Sequence, residues 1–84
     1  MDISARLAKE TSEVCEELDY ELITDEPDWQ DWRLEEDGIL KNVGIDLDNN
    51  IVSVEITGSD GDREFFREYS EDEGNTAREV KRKL

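Results

Sequence analysis

Ile39-Leu40-Lys41-Asn42-Val43-Gly44-Ile45-Asp46-Leu47-Asp48-Asn49-Asn50-Ile51-Val52-Ser53-Val54-Glu55-Ile56-Thr57 is the stretch that decides the fold. From 39 to 47 the odd positions are Ile39, Lys41, Val43, Ile45 and Leu47, and the even ones are mostly small or polar. After Asp48-Asn49-Asn50 the apolar set moves to the even positions Val52, Val54 and Ile56, alternating with Ser53, Glu55 and Thr57. Period two on both sides of a turn-forming tripeptide specifies a β-hairpin with one buried face.

The pattern extends in both directions. Gly58-Ser59-Asp60-Gly61 reads as the next turn, and residues 63–69, with Phe65, Phe66 and Tyr69, as a further strand. Upstream, Asp37-Gly38 is a strong hairpin-turn signal. It favours a strand over residues 29–36, where Trp32 and Leu34 alternate. Pro27 could instead open a helical turn carrying Trp29 and Trp32 three residues apart, so residues 27–36 are ambiguous between strand and helix. Residues 20–24 offer a short strand, and Asp25-Glu26-Pro27-Asp28 a turn, because proline biases the residue before it away from the helical region.

Residues 3–18 predict an amphipathic helix: Ile3, Leu7, Thr11, Val14 and Leu18 share one face, Ala8 and Cys15 widen it, and Asp2 or Ser4 supplies the cap. The acidic break at residues 70–74 ends the sheet. Thr76-x-x-Glu79 then matches a capping box for a C-terminal helix with Ala77, Val80 and Leu84 on its apolar side. The expected architecture is one α+β domain over residues 1–84, in the order α-β-β-β-β-α: an N-terminal helix packed on a four-stranded antiparallel β-meander, with a short C-terminal helix.

Composition excludes several functions. The 84 residues hold 25 acids, 10 bases and no histidine, for a formal charge of −15. No apolar run approaches the ~20 residues that span a bilayer, and the N-terminus lacks the basic and apolar regions of a secretory signal. So negative a chain is a poor ligand for nucleic acid or an anionic membrane, since phosphate binding rests on Lys and Arg. The lone Cys15 cannot form an internal disulfide, which makes a cytoplasmic location the expectation.

The acids are concentrated. Between residues 10 and 37 stand thirteen of them against Arg33 alone, a net of −12; the other 56 residues hold twelve acids and nine bases, a net of −3. The last eleven residues are net +3 through Arg78, Lys81, Arg82 and Lys83 against Glu79. Glu10, Glu13 and Glu17 lie three and four apart, which on a helix spaces neighbouring carboxylates by roughly 5–6 Å. Phosphates along one DNA strand advance about 3.4 Å per nucleotide along the axis, so a row of like charge at comparable separation is feasible. The candidate partner-binding residues are Glu10, Glu13, Glu17, Glu21, Asp25, Glu26, Asp28 and Asp31 for charge, with Trp29 as an apolar anchor.

Other chemistry finds little support. Asp46-x-Asp48-x-Asn50 begins like a calcium loop, but Ile51 replaces the glycine at its sixth position and Thr57 the glutamate at its twelfth. Asp60-x-Asp62-x-Glu64 comes closer, yet its sixth position, Phe65, falls inside an expected strand. Cys15 lacks a histidine to activate it and sits on the apolar side of its helix. No glycine-rich phosphate loop is present. A non-enzymatic role without cofactor or metal is the expectation.

In size, acidity and helix-plus-antiparallel-sheet plan, the profile resembles phage-encoded DNA-mimic inhibitors, namely anti-restriction, anti-CRISPR and uracil-DNA glycosylase inhibitor proteins, although it shares no sequence motif with them. The resemblance implies an inhibitor that blocks the basic nucleic-acid-binding site of a partner protein, itself a monomer or weak homodimer. An immunity protein or antitoxin neutralising a basic toxin would use the same physics. A different account is a halophile-adapted accessory domain whose acidity serves solubility; such a domain should need molar KCl to fold. A third is a subunit whose basic C-terminal helix docks on another acidic surface.

Overall fold

Asp37 and Gly38 both take positive φ, 55° and 80°. A two-residue hairpin turn with two left-handed residues matches the right-handed twist of the strands it joins. On either side of it run β2 (Trp29–Glu36) and β3 (Ile39–Asp46), paired without irregularity from Trp29↔Asp46 to Glu36↔Ile39. In the computed structural model, which describes residues 6–84, α1 (Arg6–Glu17) precedes β1 (Glu21–Glu26); β4 (Ile51–Thr57) and β5 (Arg63–Ser70) follow β3. A short 3-10 turn (Glu71–Glu73) leads to α2 (Ala77–Lys81). The strands form one antiparallel sheet in the order β1-β2-β3-β4-β5.

The helix-plus-meander plan expected from the sequence is present, but the sheet has five strands rather than four. The strand beyond that count is β1, which matches the short strand offered at residues 20–24 but takes in Asp25 and Glu26 of the expected turn; its sequence lacks a clean alternation and is rich in residues that strands disfavour. It is held by pairing to β2 across the two-residue turn Pro27-Asp28, so tertiary context overrides propensity. Residues 29–36 are strand, not helix. The expected extension of α1 back to residue 3 and its cap at Asp2 or Ser4 lie outside the described residues.

Register sorts the side chains into two faces. Rows Gln30–Ile45–Val52–Tyr69, Trp32–Val43–Val54–Arg67 and Leu34–Lys41–Ile56–Phe65 point to the covered side. There Trp32, Val43, Ile45, Val52, Val54 and Tyr69 pack with Leu7, Ala8 and Cys15 of α1 and Ala77 and Val80 of α2. Each such aliphatic side chain contributes about 1.5–3 kcal/mol on burial.

Polar ties seat the helices on this core. Asn50, left-handed at φ 56° and buried, accepts from the Ala8 N–H at 2.8 Å and donates to Glu71 at 2.8 Å. It thereby satisfies a free donor in the first turn of α1. Gln30 Oε1 accepts both from Ser12 Oγ (2.8 Å) and from the indole of buried Trp32 (3.1 Å). Tyr20 Oη and Lys41 Nζ each donate to the main-chain oxygen of Leu84 at 3.2 Å. The Glu79 carboxylate accepts from the Thr76 N–H (3.2 Å) and from Asn75 Nδ2 (3.1 Å), which closes one arm of the expected capping box.

Candidate acidic binding surface

The nine candidate residues do not form one row. Glu10, Glu13 and Glu17 lie on α1, which packs on the covered face over β3 and β4. Glu10 pairs with Arg6 at 2.9 Å, and Glu17 stands 3.9 Å from Lys81. Both pairs are exposed and therefore weak. Glu21, Glu26, Trp29 and Asp31 project from the other, open face of the sheet, as their register with Arg33, Trp29, Asp46 and Gly44 shows. Asp25 is on the covered side opposite Gln30, whose amide lies 3.5 Å from it. Asp28 forms the β1–β2 turn, which is tied to the next turn by the Leu47 N–H donating to the Asp28 carbonyl at 3.0 Å.

A bulge produces this distribution. Glu21 and Glu26 are five residues apart and in a regular strand would face opposite ways. The register of β1 against β2 slips between Leu22 and Thr24, and the extra residue Ile23 brings Glu21, Thr24 and Glu26 to the same face. The open side of β1 and β2 thus carries Glu21, Glu26, Asp31 and Glu35, with Arg33 as the one cation. Arg33 stands opposite Glu21 and donates to Asn42 at 3.1 Å.

Trp29 and Trp32 take different roles. Trp32 is buried under α1, whereas Trp29 lies half-buried on the open face. Its indole covers Gly44 so closely that a Cβ there would sit 3.1 Å from two ring carbons and 2.8 Å from Ser53 Oγ. Its N–H donates to Asp31 at 2.9 Å. A glycine floor and a carboxylate partner therefore fix the ring at the acidic edge.

The sheet also gathers acids that the sequence pattern did not group with these. Trp29 pairs with Asp46, Asp46 with Ile51, and Ile51 with Ser70, so the β1–β2 turn, the β3–β4 turn and the 3-10 turn share one end of the sheet. Asp46, Asp48, Glu71, Asp72 and Glu73 join Glu26 and Asp28 there. Asp46 is committed locally: its carboxylate accepts from the N–H groups of Asp48 and Asn49 and from the Asn49 side chain. The Asn49 bonds hold its pKa below the ordinary carboxylate value. The signal that could have found this end is the pairing register, since residues 28 and 46 are distant in sequence.

Chemistry at the remaining reactive groups is muted. Cys15 is fully buried, and burial pushes its thiol up to about 12, so it stays protonated and unreactive at neutral pH. Tyr20 is likewise raised to about 12, first by burial. Among the described residues no three His, Cys, Asp or Glu side chains are placed to hold a metal ion, and no helix is long and apolar enough to cross a membrane. Compared with protein-family models, with curated proteins and with solved structures, the chain matches none.

Proposed function

We propose that this protein is a non-enzymatic acidic binding protein that occupies the basic nucleic-acid-binding site of a partner protein and acts in the cytoplasm as a DNA-mimic type of inhibitor. The observation that carries the reading is the anchored Trp29 among carboxylates borne on paired strands rather than on a free tail. Carboxylates on such strands repeat about 6.6 Å along a strand and about 4.8 Å between strands, a spacing that a phosphate-binding surface can meet. Concentrated negative charge speeds encounter with a basic partner, and a fixed aromatic adds apolar contact at little entropic cost. Self-repulsion among the acids lowers stability, which a binding role would offset.

The test is capture by the tagged chain, at about 0.1 M salt where surface charges still act over roughly 10 Å, from lysate enriched in DNA-binding proteins. Reversal of Glu13, Glu17, Asp28 and Asp31 to Lys serves as control. One stoichiometric protein, released by competing DNA and lost with the variant while its circular dichroism is unchanged, is the expected result. A diffuse, salt-labile set of basic proteins, retained equally by the variant, would refute mimicry. Reversing the α1 pair and the hairpin pair separately locates the contact, because the α1 pair lies over the covered face whereas Asp31 is on the open face and Asp28 in the turn beside it. A chain that folds only in molar KCl would favour salt adaptation instead.

A further inference from the structure

The two free edges of the sheet differ in chemistry. β5 carries both signs, and its cations are engaged: Arg63 pairs with Glu55 at 3.0 Å and lies 5.0 Å from the Phe66 ring centroid, while Arg67 lies 4.8 Å from that of Tyr69. β1 carries three carboxylates and no cation. Among the described residues no strand pairs with its outer side, so alternate backbone N–H and C=O groups there face away from the sheet. On the same strand Leu22 and Ile23 are 37% and 46% exposed. Unpaired main-chain groups beside exposed apolar side chains are the two ingredients of strand addition.

Charge decides what can be added. An antiparallel pair of two β1 strands centred on this segment would set Glu21 of each copy against Glu26 of the other, and like charges directly opposite destabilise a strand pair. The bulge at Ile23 further shortens the run available for edge-to-edge stacking. The same carboxylates favour a strand that brings Lys or Arg to those positions. We infer that the β1 edge receives an extended segment of the partner protein, in which apolar and basic residues alternate, as a sixth strand. Main-chain hydrogen bonds hold the segment, Leu22 and Ile23 supply the apolar contact, and Glu21, Asp25 and Glu26 select its charge. This inference rests on the acidic-binding reading above and gives it a docking mode.

The test leaves the protein unaltered and varies the probe. Three peptides are titrated into the full chain at about 0.1 M salt: an alternating Lys-Val hexapeptide, the same peptide N-methylated at alternate residues to remove the donors of one edge, and hexalysine. The alternating peptide should bind about tenfold more tightly than its N-methylated form, the equivalent of one or two main-chain hydrogen bonds. On its addition, amide hydrogen exchange should slow at residues 21–26. Equal binding of the alternating and N-methylated peptides overturns strand addition while leaving charge-driven binding intact. Failure of every cationic probe, hexalysine included, overturns both. Concentration-dependent protection of residues 21–26 without peptide would assign the edge to a second copy and overturn the inference.

Discussion

The two faces of the sheet are made by the same strands and obey different rules. On the covered face most positions are filled by apolar side chains under two helices, and the polar Gln30 and Lys41 have hydrogen-bond partners there. On the open face aromatic and charged residues share one surface: Trp29 over Gly44, Phe66 under Arg63, with Glu26, Asp31 and Glu55 on the same side. Period two lets one stretch of chain serve both purposes. The covered side sets stability, and the open side is free to carry charge that a core could not hold.

That division can be broken most directly by truncating one residue on each face. Ile45→Ala, fully buried, should cost about 3 kcal/mol of unfolding free energy in urea. Phe66→Ala, at 49% exposure, should cost under about 1 kcal/mol. Equal losses would mean that the open face is structural after all.

Alkaline titration probes the covered side without mutation. The Cys15 thiol has an ordinary value of 9.0 and the Tyr20 phenol one of 10.0; in the fold both are raised to about 12. The folded state therefore keeps protons that the unfolded chain releases. The stability linked to them is intact below about pH 9 and is lost as pH rises toward the folded values. A loss of about 2 kcal/mol between pH 9 and 11 is expected, and Cys15→Ala should shrink it. A urea midpoint that stays level over that range would contradict the burial of these groups.

Gly44→Ala sharpens the contrast from the open side. Its methyl group must displace the Trp29 indole or Ser53, at a cost of about 1–2 kcal/mol. The Trp29 emission should shift to the red while Trp32 stays buried, and the far-ultraviolet circular dichroism should be kept. The smallest effect has the opposite sign. Thr11 is fully buried in α1, and its hydroxyl has no hydrogen-bond partner among the described residues. Thr11→Val should raise stability by about 1 kcal/mol, read as a higher urea midpoint at unchanged slope.

The sequence makes some of these features legible and hides others for physical reasons. The β3–β4 hairpin and the Asp37-Gly38 turn are visible because alternation and turn chemistry agree. The α1 stripe is visible too: Leu7, Ala8, Thr11 and Cys15 are its buried residues. β1 is only partly legible: a short strand at residues 20–24 can be read, but its extension through Asp25 and Glu26 comes from pairing with β2, and the expected strand count falls one short. The grouping of acids is hidden for two further reasons. β1 has no clean alternation to assign its faces, and the bulge at Ile23 reverses the facing of everything after it in that strand. A spacing rule applied to α1 and β1 together therefore merges residues that the fold separates, and it overlooks Asp46 and Asp48, which register brings beside Asp28.

Every strand in the meander pairs only with its neighbours in sequence, while the bonds that seat the helices reach far along the chain: 42 residues from Ala8 to Asn50, and 64 from Tyr20 to Leu84. The two sets close loops of very different length. Short loops let the hairpins zip first, and closing the long ones is entropically costlier and slower. A sheet paired before those loops close would present one bare apolar face. The acids on its other side and on its edge would then repel like chains until α1 and α2 close over the core.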